Sequence, residues 1–182
     1  MMLSSEINKA PTRPDPFAML GLPARFDLDT QAIEARFRER SRERHPDRFA
    51  SAPAAERAQA LAKARALNDA YQVVRRPQRR AEVLLERAGL TIGDHERLEP
   101  EFLMEILELR EELALARAAG QLELVEKLQG AMQARQRALE AGLAPLFAAG
   151  DPASLARAKR DLITLRYVVR YLDECDAALD EE

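Results

Sequence analysis

The octapeptide Arg42-Glu43-Arg44-His45-Pro46-Asp47-Arg48-Phe49 places one of the chain's two histidines two positions before an aspartate. An imidazole near a carboxylate supplies ingredients of general acid–base catalysis and of metal binding. Catalysis also needs a substrate pocket and a third group to orient the imidazole, and a loop flanked by charged helices offers neither. A closed metal shell needs more donors than one His and one Asp, and the second histidine, His95, lies far along the chain. A plainer reading assigns these residues to a helix end. His45 then sits at the negative end of the helix dipole, Pro46 stops the helix, and Asp47 caps the next segment. On the residues alone, that reading outweighs any specific function.

The neighbouring sequence dictates how the tripeptide is held. Asp15 and Pro16 cap and start a short helix carrying Phe17 and Leu20, which Gly21 ends. Asp29 or Thr30 caps a second helix, QAIEARFRERSRER, in which Ile33 and Phe37 are one turn apart and face inward. Arg36, Arg38, Arg40, Arg42 and Arg44 spread around its remaining surface. Pro46 cannot continue the helical hydrogen bonds and disfavours helix geometry at His45, so the helix stops there. A third helix, from about Pro53 to Val74, returns antiparallel to the second, with Leu61, Leu67, Ala70, Tyr71 and Val74 as core contributors. A short helix after Pro77 carries Ala81, Val83, Leu84 and Leu85 and ends at Gly89. The stretch LTIGDHERLEP, residues 90–100, reads as a linker.

From Pro100 onward the pattern is helical, and three antiparallel helices are the economical arrangement. The first closes at Gly120, and the second carries Leu122, Val125, Met132, Leu139 and Leu146. The third starts at Asp151-Pro152, with a seam of Leu155, Ala158, Leu162, Leu165, Val169 and Leu172. In FLMEILELREEL, residues 102–113, Phe102, Ile106, Leu109 and Leu113 fall within about 60° of arc, enough for a core stripe. Leu103, Met104 and Leu107 lie roughly 100–200° away from Phe102, in a second apolar sector. That sector is either an interaction surface or a wider core face covered by the connecting segment. Ile163, Tyr167 and Tyr171 form a similar extra stripe on the last helix, open to the same two readings.

The chain is predicted to be all-α. Its composition, 47% hydrophobic and 32% charged with 7 glycines, suits a soluble helix-rich protein rather than a disordered or fibrous one. No apolar run approaches the roughly 18 residues needed to cross a bilayer. The opening MMLSSEINKAPTRPDP lacks the basic-then-apolar pattern of a secretory signal and reads as a polar tail. The single cysteine, Cys175, makes neither an internal disulfide nor a multi-thiolate metal site, which points to a reducing, cytoplasmic setting. It lies beyond Leu172 on the seam and reads as a small buried hydrophobe. Residues 100–182 carry 16 acids and 10 bases, net −6, and residues 1–99 carry 15 acids and 18 bases, net +3. Oppositely biased halves suggest two modules with different partners. The arginine face can steer an acidic partner, although Glu34, Glu39 and Glu43 balance part of it. Residues 30–48 hold six arginines against four acids and show no aromatic stacking platform, so nucleic acid ranks below a protein partner.

A short helix, an arginine-rich helix, His45-Pro46-Asp47 and a returning helix ending in LNDAYQVVRRPQRRAEVLL together resemble the J-domain of DnaJ-type co-chaperones. The likeness covers roughly residues 14–88. In that family the His-Pro-Asp loop and the positive face of the preceding helix dock onto a DnaK-type chaperone and stimulate its ATP hydrolysis. The resemblance therefore implies chaperone contacts for His45, Pro46, Asp47, Arg36, Arg40 and Arg44. With PFAMLGLPARFDLDT at its start and an acidic three-helix region containing FLMEILELREEL, nearly the whole chain is similar to the HscB-type co-chaperones of bacterial iron–sulfur cluster assembly.

That likeness implies a tail over 1–13, a J-domain over 14–89, a linker over 90–100 and a scaffold-protein-binding domain over 101–182. Its implied partners are the specialised DnaK-type chaperone HscA and the scaffold protein IscU, without nucleic acid, membrane, metal or cofactor. Carried over by motif, the scaffold-binding positions are Leu103, Met104, Leu107, Glu108, Arg110, Glu111 and Tyr167. The four-cysteine module of some eukaryotic relatives is absent, which favours a bacterial form. Two alternatives remain: a J-domain co-chaperone with another client, and a His45/Asp47 acid–base or metal site, which would need a cavity around the loop.

Overall fold

The computed structural model describes residues 14–43, 45, 49, 51–93 and 96–180, which form seven helices and no strand. The protein is all-α. It divides into two compact units, one ending at Arg76 and the other starting at Pro77.

The first unit contains α1 (Pro16–Leu20), α2 (Thr30–Glu43) and α3 (Ala54–Arg75). Side-chain caps start the first two helices, because the earliest helical N–H groups have no backbone acceptor. The Asp15 carboxylate accepts the Phe17 N–H at 3.1 Å, and Asp29 accepts those of Gln31 and Ala32 at 3.3 and 3.1 Å. Phe17, Leu20, Ile33, Leu67, Ala70 and Val74 are buried where the three helices meet. Phe37 stacks on Tyr71 with centroids 4.1 Å apart, locking α2 to α3. Leu61 is 46% exposed, contrary to its expected core role. Its neighbour Ala60 takes the inward position, one residue around the helix from the leucine.

The second unit contains α4 (Pro77–Arg87), α5 (Pro100–Ala118), α6 (Leu122–Ala149) and α7 (Pro152–Asp180). α5, α6 and α7 form an up-down-up bundle, so α5 and α7 run in the same direction. Asp151 caps α7 by accepting the N–H groups of Ala153 and Ser154, both at 3.0 Å. Phe102, Ile106 and Leu113 of α5 are buried in the core with Val125 and Met132 of α6. Burying each large aliphatic or aromatic side chain contributes about 1.5–3 kcal/mol.

On α7 the deep positions after Leu165 are Val168, Tyr171, Cys175 and Ala178, while the expected Val169 and Leu172 are only half-buried. Two successive steps of three, from 165 to 168 to 171, turn the seam away from the strict alternation read in the sequence. On α6, Leu122 is exposed and the unexpected Leu143 is fully buried.

α4 packs on α6 and α7, within the second unit, whereas the sequence reading grouped it with the first three helices. Ala81 and Leu85 bury its inner face, and Gln78 donates to Glu140 on α6 at 3.3 Å. Gly93 and Glu96, expected in a linker, are fastened to α7. Arg166 donates to the Gly93 carbonyl at 3.2 Å, and Lys159 pairs with Glu96 at 2.9 Å.

Candidate interaction surfaces

The first surface is the arginine face of α2. Its guanidinium groups pair along the helix: Arg36 with Glu39 at 2.9 Å, Arg38 with Glu34 at 3.2 Å, and Arg40 with Glu43 at 3.5 Å. Such exposed helical pairs contribute only about 0.3–0.5 kcal/mol each, so a partner carboxylate can replace the internal one at little cost. Arg40 is the most constrained of the three. Its guanidinium lies over Gly21, where a Cβ would fall 2.9 Å from Nη2.

Glu43 closes α2, and His45 is exposed beyond it. Arg44, Pro46 and Asp47, the other expected chaperone contacts, lie outside the described residues. A cleft of about 430 Å³ on this unit is lined by Gly21, Leu28, Asp29, Ala32, Arg36 and Glu39, with no contribution from His45. Among the described residues, no three His, Cys, Asp or Glu side chains converge to hold a metal ion.

The second surface is the outer face of α5. Leu103, Met104 and Leu107 are 44%, 58% and 51% exposed, while Phe102 and Ile106 on the opposite side are buried. The second apolar sector is therefore a surface and not a wider core face. Leu115, two residues beyond the stretch singled out in the sequence, is 66% exposed. It continues the steps of four from Leu103 through Leu107 and Glu111, a spacing that could have revealed it.

Polar groups frame this strip. Glu108 and Glu111 are exposed. Arg110 is partly buried and forks onto Glu174 of α7, with Nε–Oε2 and Nη2–Oε1 distances of 3.0 and 2.6 Å. The Tyr171 hydroxyl donates to the Leu109 carbonyl at 3.2 Å. These contacts pair positions 62 and 64 residues apart on the two helices, and the same register sets Tyr167 level with residues 103–105. Tyr167 itself is half-buried against the bundle core. Of the extra α7 stripe, Ile163 and Tyr171 belong to the core, and Tyr167 alone retains substantial exposure.

Cys175 is fully buried beside Tyr171, and burial pushes its thiol up to about 11. It stays protonated near neutral pH, which suits packing rather than metal ligation. The same burial raises the Tyr171 phenol above its ordinary value.

Comparison with known proteins assigns the chain. The family model described as the HSCB C-terminal oligomerisation domain matches residues 98–176. The co-chaperone protein HscB homolog of Azoarcus sp. (strain BH72) is 37% identical over 169 residues, covering 91% of this chain and 96% of that protein. The chain belongs to the HscB family. The HscB homolog of Ralstonia nicotianae is likewise 37% identical over 168 residues. Chaperone HscB from Vibrio cholerae superposes with a TM-score of 0.78 at 31% identity, covering 92% of this chain and 98% of that one. Human co-chaperone HscB superposes with the same TM-score, 0.78, at 26% identity, covering 93% and 83% of the two chains. HscB membership accords with a fold in which an arginine-faced helical hairpin precedes a helical bundle bearing an exposed apolar strip.

Proposed function

We propose that this chain is a co-chaperone of iron–sulfur protein maturation, stimulating the ATPase of the DnaK-type chaperone HscA and delivering the scaffold protein IscU to it. Membership of the HscB family supports the co-chaperone role. The observation that carries client binding is the exposure of Leu103, Met104 and Leu107 on a helix whose core stripe is already filled. An apolar strip framed by Glu108, Glu111 and Arg110 has the make-up of an interface centre with a polar rim.

In this reading His45, Pro46 and Asp47, with Arg36, Arg40 and Arg44, meet the chaperone, and the α5 strip with Tyr167 meets the scaffold. Hydrolysis takes place in the chaperone, so the chain works as a tether in the cytoplasm and not as an enzyme. Holding client and chaperone on one chain turns the client's second encounter into an intramolecular one, raising its effective concentration to about the millimolar range for a short connection.

Steady-state ATP hydrolysis by HscA tests this directly. The chain should stimulate it, IscU should add to the stimulation, and His45→Gln should abolish the chain's contribution while leaving its melting temperature unchanged. Full stimulation by a folded His45→Gln protein would overturn the chaperone assignment. Capture of a different client in place of IscU would overturn the scaffold assignment alone.

A further inference from the structure

Residues 100–182 are acidic overall, with 16 acids and 10 bases. Against that background, a cleft of about 630 Å³ lined from α4, Gly93, Glu96 and α7 is locally basic among the described residues. Arg79, Arg166 and Arg170 line it together with Glu82 and Glu96, and Lys159 is bound to Glu96 at 2.9 Å. Among the described residues, three lining arginines thus face two carboxylates, one of which is already paired with Lys159.

Glu82 is shared between two of those cations. Its Oε1 accepts from Nε and Nη2 of Arg166 at 3.2 and 2.9 Å, and its Oε2 from Nη1 of Arg79 at 3.1 Å. One carboxylate across two guanidinium groups leaves a positive charge unmatched. Arg166 is also committed to the Gly93 carbonyl, so the spare donors belong to Arg79, whose side chain is 60% exposed. Arg170 has no ion-pair partner among the described residues. Its guanidinium lies over the Tyr167 ring, 5.9 Å from the centroid, which leaves its N–H edge available to a ligand.

The volume lies within the range of about 300–1,000 Å³ typical of ligand sites. The two fixed carboxylates decide what kind of anion fits. Glu96 is held ionised by the Gly93 N–H and by Lys159, so a compact dianion such as phosphate would meet local repulsion along with the arginines. Carboxylates strung along a chain can be spaced to reach Arg79 and Arg170 and to use the planar fork of each guanidinium.

We propose that this cleft binds an acidic segment of a partner protein, with Arg79 and Arg170 as the receiving groups. Tyr167 lines the cleft and also belongs to the surface proposed for the scaffold protein. Supply of the segment by that same bound protein rests on the client reading; the cleft's own chemistry does not.

Nuclear magnetic resonance of the ¹⁵N-labelled full chain reads the arginine Nε–Hε signals one by one. Titration with an N-acetylated hexaglutamate peptide should shift Arg79 and Arg170, and Arg79→Gln/Arg170→Gln should weaken the apparent affinity at least tenfold. Should the double variant melt early, Arg170→Gln alone serves, since it leaves both partners of Glu82 in place. Inorganic phosphate at equal concentration should leave these signals unmoved. Shifts confined to the α2 arginines, or no shifts, would overturn the proposal, as would phosphate displacing the peptide. Alanine at Leu103, Met104 and Leu107 should leave hexaglutamate binding unchanged, so loss of the client surface and loss of the cleft read out separately.

Discussion

Arg110 of α5 grips Glu174 of α7 through two near-parallel hydrogen bonds of 3.0 and 2.6 Å, beside the exposed strip of Leu103, Met104 and Leu107. A forked guanidinium–carboxylate pair fixes both distance and rotation between its helices. Arg110 therefore has a structural task besides any contact with a client.

The two tasks separate by mutation. Both side chains are more than a third exposed, so the pair contributes only about 0.5–1 kcal/mol after solvent screening. Glu174→Ala and Arg110→Ala should each lower the melting temperature by about 1–4 °C, measured by calorimetry. Only Arg110→Ala should also weaken IscU, because Glu174→Ala leaves the arginine in place and frees its fork. Equal loss of IscU affinity in both variants would make Arg110 a helix clamp and nothing more.

Alanine at Leu103, Met104 and Leu107 together should cut IscU affinity roughly 10- to 100-fold, read by titration calorimetry. Stability should hardly change, since each side chain is already about half in water. Ile106→Ala is the contrasting control, because Ile106 is 1% exposed and its truncation should cost about 2–5 kcal/mol of stability. Unchanged affinity in the triple variant would remove these residues from the interface.

The contrast between Ile106 and Leu107 was legible in the sequence because a helix enforces it: 100° per residue puts adjacent positions on different faces. Tyr171 was harder. Its burial follows from two consecutive steps of three on α7, a drift set by packing against α5 and α6. The allegiance of α4 was not legible at all. It rests on contacts distant in sequence, the burial of Ala81 and Leu85 and the reach of Arg166 to Glu82 across 84 residues, and proline at position 77 announces a helix without saying which core receives it.

Glu96 gives the attachment of Gly93 and Glu96 to α7 a pH dependence. The Gly93 N–H and then Lys159 hold its carboxyl below the ordinary value of 4.5. A carboxylate with a depressed folded-state pKa stabilises the fold fully above its unfolded value, and that contribution fades as pH falls through the folded one. Carbon-detected titration should therefore place the Glu96 midpoint below 4.5. Lys159→Ala should move it only part of the way back, because the backbone donor is the larger cause. A midpoint at the ordinary value in the parent protein would mean that the Gly93 and Lys159 contacts do not persist in solution.

Gly21 should tolerate alanine poorly, chiefly because of its backbone and to a smaller extent because the flexible end of Arg40 would have to move. The Gly21 φ of 67° lies in the left-handed region, where a Cβ costs about 1–2 kcal/mol, and that Cβ would also stand 2.9 Å from Arg40 Nη2. Gly21→Ala should lower the melting temperature by about 2–8 °C. The steric part depends on Arg40 and the backbone part does not. In an Arg40→Ala background the substitution should therefore cost less than in the parent, with the difference appearing as coupling in a double-mutant cycle. Arg40 is also a proposed chaperone contact, so displacing its guanidinium in Gly21→Ala should lower HscA stimulation even at temperatures where the protein stays folded. If stimulation were unchanged while stability fell as expected, Arg40 would belong to the support of α1 rather than to the docking face.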